Sequence, residues 1–199
     1  MRYIDPAMGL LLLQLLSAAC PSAALADPAW HAYGAQSVGW TGGSHSGGLT
    51  LDGAALIGFH FVEVGASAQF ATHIFGTMTV ISALAGLGLA LDRVRLGLWA
   101  ECGGEFYRGV GSNFLTEDRG ISALVPFVGG RASIAVRIAK IRTRASIWLG
   151  LTGIHGADLT SVRKTSVYTN DDNDVVRNQH SAGQTRWALL ASVSASLDL

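Results

Sequence analysis

Apolar and polar residues alternate with a period of two over long stretches of the chain. From residue 94 to residue 106, every second side chain is apolar or small, and the positions between them include Arg95 and Glu101. The same alternation runs from residue 186 to the last residue of the chain. Because successive side chains of a β-strand point to opposite faces, this pattern predicts strands with one apolar and one polar face.

Applied along the whole chain, the alternation predicts eight strands. Several are longer than the five or six residues of an average strand, and reach the roughly 9 to 11 residues that a tilted strand needs to cross a membrane. The predicted strands cover residues 30–40, 49–59, 62–72, 78–91, 94–107, 123–136, 141–154 and 184–199.

The connections between the predicted strands alternate in length. The long ones are 41–48, 73–77, 108–122 and 155–183, and the short ones are 60–61, 92–93 and the segment around 139–140. Short turns on one side and longer loops on the other are typical of outer-membrane barrels, whose turns face the periplasm. The order therefore favours a barrel over a soluble β-sandwich.

The composition agrees with a membrane protein that crosses with strands. The chain has 199 residues, of which 49% are hydrophobic and 14% charged, with 14 Lys and Arg against 14 Asp and Glu. A neutral chain lacks the basic face that nucleic acids require, and so apolar a chain is not disordered. Nucleic acid is therefore excluded as a partner.

The first residues have the features of a secretory signal peptide. Arg2 precedes an apolar segment at 10–16, and Ala24 and Ala26 form a small-x-small cleavage site. We expect residues 1–26 to be the signal peptide and residues 27–199 to form the barrel. Cys20 lies in a sequence similar to a lipoprotein cleavage box, which leaves lipidation as an alternative.

If Cys20 is removed with the signal peptide, Cys102 has no partner for an intramolecular disulfide. Free cysteines usually pack as small apolar residues. Cys102 belongs to the apolar row of its strand, so we interpret it as an apolar wall residue.

In its strand pattern and in the alternating lengths of its connections, the chain resembles the small eight-stranded outer-membrane barrels of Gram-negative bacteria, the class of the OmpA membrane domain and OmpX. The resemblance implies an all-β fold, an eight-stranded antiparallel up-and-down transmembrane β-barrel after a cleaved signal peptide. It implies outer-membrane lipid and lipopolysaccharide as surroundings. Ala195, Leu197 and Leu199 are similar to the C-terminal signal read by the barrel-assembly machinery, although that signal usually ends in an aromatic residue.

An eight-stranded barrel is wide enough only for side chains to fill its interior. We therefore predict a closed lumen held by a network of ion pairs, because an unpaired charge there is costly. The arginine excess leaves a gated anion path as an alternative. The predicted network consists of the acids Glu63, Glu101, Glu105 and Asp198 and the bases Arg95, Arg131, Arg137, Arg142, Arg144 and Arg186.

The tryptophans divide between the two faces of the predicted strands. Trp30, Trp40 and Trp187 fall near strand ends, where an aromatic girdle meets the membrane surface. Trp99 and Trp148 fall on the inward rows and are predicted to fill the lumen.

A membrane-spanning helix over residues 74–91 competes with the strand prediction, because these 18 residues carry no charge. The segment contains three glycines and five β-branched residues, which favour a strand.

Candidate chemistry is confined to the last long loop. His180 and Ser181 suggest a catalytic pair, but no third group orients the base and the spacing differs from that of lipid A deacylases. The oxygen-rich run 170–174 is of the kind that Ca²⁺ prefers, without the spacing of an EF-hand. We predict no catalytic residue, metal or cofactor, and a structural or surface-interaction role through loops 108–122 and 155–183. A narrow pore and a lipid-modifying enzyme remain the alternatives.

Overall fold

A computed structural model of the chain describes residues 30–43, 48–73, 76–110, 121–141, 144–169, 175–182 and 185–199. The described residues form antiparallel strands joined by turns. The strands are β1 (Trp30–Gly43), β2 (Gly48–Phe59), β3 (Val62–His73), β4 (Gly76–Leu91), β5 (Val94–Val110), β6 (Ile121–Ile141), β7 (Ala145–Asp158), β8 (Val162–Thr169), β9 (Val175–Ala182) and β10 (Thr185–Asp198).

Eight of these strands close into a barrel in the order β1-β10-β7-β6-β5-β4-β3-β2, and every neighbouring pair is antiparallel. This confirms the predicted up-and-down barrel of eight strands. Closure leaves no strand edge whose N–H and C=O groups lack partners, which is the requirement for a sheet in hydrocarbon.

The strands of the barrel are staggered. Following the pairs from Gln36 leads to Gly104 of β5 in one direction and to Val94 of β5 in the other, a shift of ten residues. Such a stagger requires strands tilted by about 40°, at which a strand of 12 residues rises roughly 30 Å. That height exceeds the apolar band of about 25 Å in outer-membrane barrels.

The two faces of the sheet have opposite character. Outward positions carry large apolar side chains with high exposure, such as Ile81 at 67% and Leu98 at 61%. Inward positions carry most of the buried polar and charged side chains, including Glu63 and Arg131. The core of the molecule is therefore its lumen, where these polar side chains lie beside buried apolar ones such as Leu190.

The barrel has two different ends. The turn end contains the connections from β2 to β3, β4 to β5 and β6 to β7, together with the beginning of β1 and the end of β10. The loop end contains the other connections. At the turn end the backbone N–H of Leu199 donates to the carbonyl of Trp30 over 2.9 Å, which ties the last residue to the first strand.

The prediction for the turn between β6 and β7 is wrong by about three residues. β6 continues to Ile141 instead of ending near residue 136, and β7 begins at Ala145. The pairing shifts between Arg137 and Ala139, where a β-bulge places an additional residue in β6. Because a bulge breaks the period-two pattern, the alternation does not reveal how far β6 extends.

The helical alternative for residues 74–91 is also wrong. Residues 76–91 form β4, which pairs with β3 and β5 along its length. No helix in the described ranges is long and apolar enough to cross a membrane.

The long connection predicted at 155–183 contains two strands. β8 and β9 form a separate two-stranded sheet beyond the barrel rim, and β9 contacts β5 and β6. The predicted loop at 108–122 is shortened, because β5 reaches Val110 and β6 begins at Ile121. The N–H of Leu159 donates to the carbonyl of Pro126 over 2.8 Å and links the chain entering β8 to β6.

Candidate functional site in the barrel lumen

The layer nearest the turn end is organised around the fully buried carboxylate of Glu63. Glu63 accepts a hydrogen bond from Arg95 and one of 2.9 Å from the indole of Trp99, and its Oε1 lies 2.8 Å from Nε2 of His31. A Cβ at Gly88 would collide with this carboxylate, so glycine there makes room for it. The guanidinium of Arg95 also lies 4.0 Å from the ring centre of Tyr33.

The middle layer is organised around Arg131 of β6. Its guanidinium donates to both carboxylate oxygens of Asp52 on β2, over 2.7 and 2.9 Å. It also lies 3.3 Å from the carboxylate of Glu101 and 3.0 Å from the hydroxyl of Ser67. Ser82 donates to Glu101 over 2.6 Å. Since β2 and β6 are not neighbours in the sheet, this layer is a brace across the lumen.

The layer nearest the loop end is organised around Arg186 of β10. It contacts Glu105 of β5 and Gln69 of β3, and its guanidinium lies 4.6 Å from the ring centre of Phe127. The hydroxyl of Tyr107 lies 2.6 Å from Glu105 and 3.1 Å from Asp158. This layer also joins strands that are not neighbours in the sheet.

Apolar side chains complete the closure on the loop side. Ala71, Met78, Val80, Tyr107, Val125 and Phe127 form one buried cluster. A lumenal cavity lined by residues that include Ser37, Arg131 and Thr152 has a volume of about 10 Å³, which is close to the space one water molecule occupies. Through the three layers the described lumen is packed with side chains.

The structure brings together six of the predicted lumen charges. Each of the three layers contains one acid and one base of the predicted network. In chain order they are Glu63, Arg95, Glu101, Glu105, Arg131 and Arg186.

The other predicted lumen charges lie elsewhere. Arg137 is on the inward row but near the turn end, where it pairs with Asp92 over 2.8 Å and lies 5.8 Å from the ring centre of Trp148. Arg144 and Asp198 are exposed at the turn end, so their placement in the lumen was wrong. Arg144 lies in the turn that follows the extended β6, and Asp198 is the last residue of β10, at the open rim. Arg142 lies outside the described residues.

Several members of the layers are absent from the predicted network, and Asp52 is the most important. It occupies an inward position of β2 between the outward Leu51 and Gly53. The signal that could have identified Asp52 is a single acid in an otherwise apolar strand. Glycine and alanine obscure the period-two alternation in this segment, so the face on which Asp52 lies is not evident from the sequence. His31, Gln69, Tyr107 and Asp158 were also not predicted.

The buried charges do not show the arginine excess that the sequence suggests. Among the buried side chains of the described ranges, four carboxylates accompany three guanidiniums. The described residues contain no group of three His, Cys, Asp or Glu side chains placed to hold a metal ion. A packed lumen in which each of these carboxylates contacts a guanidinium is suited to hold the wall in shape.

The tryptophans occupy the predicted faces. Trp30, Trp40 and Trp187 are exposed on the outer wall, whereas Trp99 and Trp148 are buried in the lumen. Trp30 lies at the turn end with its ring centre 5.1 Å from that of Phe59. Aromatic side chains therefore mark both ends of the apolar wall.

The candidate chemistry of the last connection is only partly within the described chain. His180 and Ser181 belong to β9, where they pair with Lys164 and Arg163 of β8. The acidic run 170–174, the segment 1–26 and Cys20 lie outside the described residues.

The architecture is that of the small eight-stranded barrels of outer membranes. Neisserial surface protein A, known from a crystal structure, matches this chain with a TM-score of 0.52. The match covers 85% of this chain and 97% of that one at 9% sequence identity, which establishes a common fold. No protein-family model matches the chain. No curated protein matches its sequence.

Proposed function

We propose that the chain is a non-enzymatic integral protein of the bacterial outer membrane that interacts with external partners through its loop end. One observation carries the proposal: an apolar outer wall surrounds a lumen that ion pairs brace from side to side. A soluble protein rarely exposes a large contiguous apolar surface, whereas lipid requires one.

Outer-membrane lipid and lipopolysaccharide are the surroundings of this wall. Ala195 and Leu197 lie on the outward row of β10, and Leu199 directly follows the end of that strand, where the barrel-assembly machinery would meet them during insertion. Residues 1–26 serve as the export signal, and the mature chain then begins at residue 27.

The interaction surface is the group of elements that extends beyond the rim. It consists of the ends of β5 and β6 and the hairpin of β8 and β9, which contacts them. Exposed apolar residues occur here, including Leu124 at 69% and Val175 at 64%. Loops and rim elements carry function on such scaffolds because the barrel holds them in place without depending on their sequence.

Epitope tags test the location and the orientation together. A tag inserted in segment 111–120 should be detected on intact cells that express the full chain. The same tag between Asp92 and Arg93, at the turn end, is the matched control and should be detected only after the outer membrane is permeabilised. Detection of the second tag on intact cells, or of neither tag in the outer-membrane fraction, contradicts the proposal.

Planar-bilayer recording separates this role from that of a pore. The braced lumen predicts no resolved conductance steps for the purified full chain, because the three layers leave no continuous water path. Regular single-channel steps abolished by a lumen-facing substitution would favour the pore.

A further inference from the structure

A polar side chain stands on the outer wall within the apolar band. Gln36 points outward from the middle of β1 and is exposed, and its side-chain amide makes no hydrogen bond with the described residues. Its neighbours on the outer wall, Val38, Leu51 and Val193, are apolar. In a membrane, which the proposed function requires, an amide at this height has no water to bind, so its exposure to lipid is costly.

The wall around Gln36 is recessed. Gly34 and Gly53 lie beside it on outward positions, and the barrel itself does not require glycine at either. An added Cβ would meet its nearest atom at 3.9 Å at Gly34 and at 3.8 Å at Gly53, which are ordinary contact distances. A groove of about 620 Å³ adjoins them, lined by Gln36 and by larger apolar side chains such as Phe70.

We propose that this face, defined by Gly34, Gln36 and Gly53, is the contact surface for a second copy of the chain. A primary amide is both donor and acceptor, so two glutamines related by a two-fold axis exchange two hydrogen bonds. Lipid acyl chains offer neither a hydrogen-bond donor nor an acceptor. Recesses formed by small residues allow the walls of two membrane proteins to approach closely.

The position of Gln36 suits such an axis. Both copies enter the membrane with the same orientation, so their two-fold axis is parallel to the membrane normal and equal heights meet. Gln36 lies halfway along β1 (Trp30–Gly43), and an axis that passes beside it brings it against the same residue of the partner. The amide pair fixes the contact at one point, and the apolar groove residues pack around it.

Sedimentation of the full chain in density-matched detergent micelles tests the inference. We expect a reversible dimer for the wild type and a rise of about tenfold or more in the dissociation constant for Gln36→Leu, which retains bulk but removes both hydrogen bonds. Cys102→Leu is the matched control, because Cys102 is exposed on β5, opposite β1 in the closed sheet, and it should leave the constant unchanged.

Cross-linking in vesicles tests the geometry directly. Gln36→Cys also removes the amide pair, so the vesicles must hold the chain at a density above the raised dissociation constant. With Cys20 and Cys102 replaced by serine, Gln36→Cys should then form disulfide-linked dimers on mild oxidation, whereas the chain that retains Cys102 and Gln36 should not. A wild type that remains monomeric, or an unchanged constant for Gln36→Leu, overturns the inference and assigns the groove to lipid. Failure of every variant to insert into vesicles overturns the proposed function itself.

Discussion

At the scale of single residues, the decisive feature is where each charge finds its partner. Arg131 illustrates this, because its two nearest acids, Asp52 and Glu101, come from different strands and all three side chains are buried. Replacing a whole buried ion pair by apolar residues often changes stability little. Removing only one member is strongly destabilising, because the other charge stays buried without a partner. The layers therefore penalise the loss of any single member.

We expect Arg131→Met to lower the free energy of unfolding by about 3 to 5 kcal/mol, because two buried carboxylates lose their cation. Urea titration in detergent, followed by tryptophan fluorescence, measures the change. Arg137→Met is the matched control: its partner Asp92 has a side chain that is 83% exposed, and such a pair contributes about 1 kcal/mol or less. Equal effects of the two substitutions would contradict the bracing role of the middle layer.

The indole of Trp99 offers a second test at this scale. Trp99→Phe retains a ring in the lumen but removes the hydrogen bond of 2.9 Å to Glu63. We expect a loss of roughly 1 to 3 kcal/mol in the same titration, since the buried carboxylate loses a donor. Trp187→Phe, on the outer wall, should change stability by much less, and a comparable loss there would argue against the assigned bond.

At the scale of elements, the barrel and the hairpin of β8 and β9 have separate roles. The hairpin forms its own sheet, and the barrel pairs β10 with β7 starting from Thr185 and Ala157 without it. The residues of the three layers come from barrel strands. The barrel therefore closes without the hairpin, and the hairpin enlarges the surface at the loop end.

Replacing residues 160–183 by a short Gly/Ser linker should leave the barrel folded, because the ends to be joined belong to paired antiparallel strands. We expect the stability to change by about 1 kcal/mol or less and any binding by the loop end to be lost. Heating-dependent gel mobility and a surface-binding assay measure the two properties. A deletion variant that does not fold would show that the hairpin is part of the barrel.

At the scale of the whole molecule, closure determines behaviour. Each strand hydrogen-bonds to two neighbours, and ion pairs cross the interior, so opening the barrel breaks several interactions at once. Such a structure resists detergents that unfold soluble proteins.

The full chain in sodium dodecyl sulfate should therefore migrate differently before and after boiling. The unheated sample should retain a circular dichroism spectrum dominated by β-structure, and the boiled sample should lose it. A single mobility in both conditions, or a mainly helical spectrum, would contradict the barrel in solution.

The sequence by itself determined the class of the fold and most of the strands. The period-two alternation depends on neighbouring residues alone, because it records which side chains of a strand face outward from the barrel. It also identified which of Trp30, Trp99 and Trp148 face inward. It failed where a bulge shifted the alternation near Ile138 and where small residues concealed Asp52.

Only the tertiary structure decided which charges meet. Arg131 and Asp52 are 79 positions apart in the chain, and they come together only because the eight strands close with a stagger of ten residues. Periodicity assigns each residue to a face, but the height at which a side chain stands depends on the stagger, which is a property of the closed sheet. For the same reason Arg144 and Asp198 lie at the rim, beyond the reach of the layers that their charges suggested.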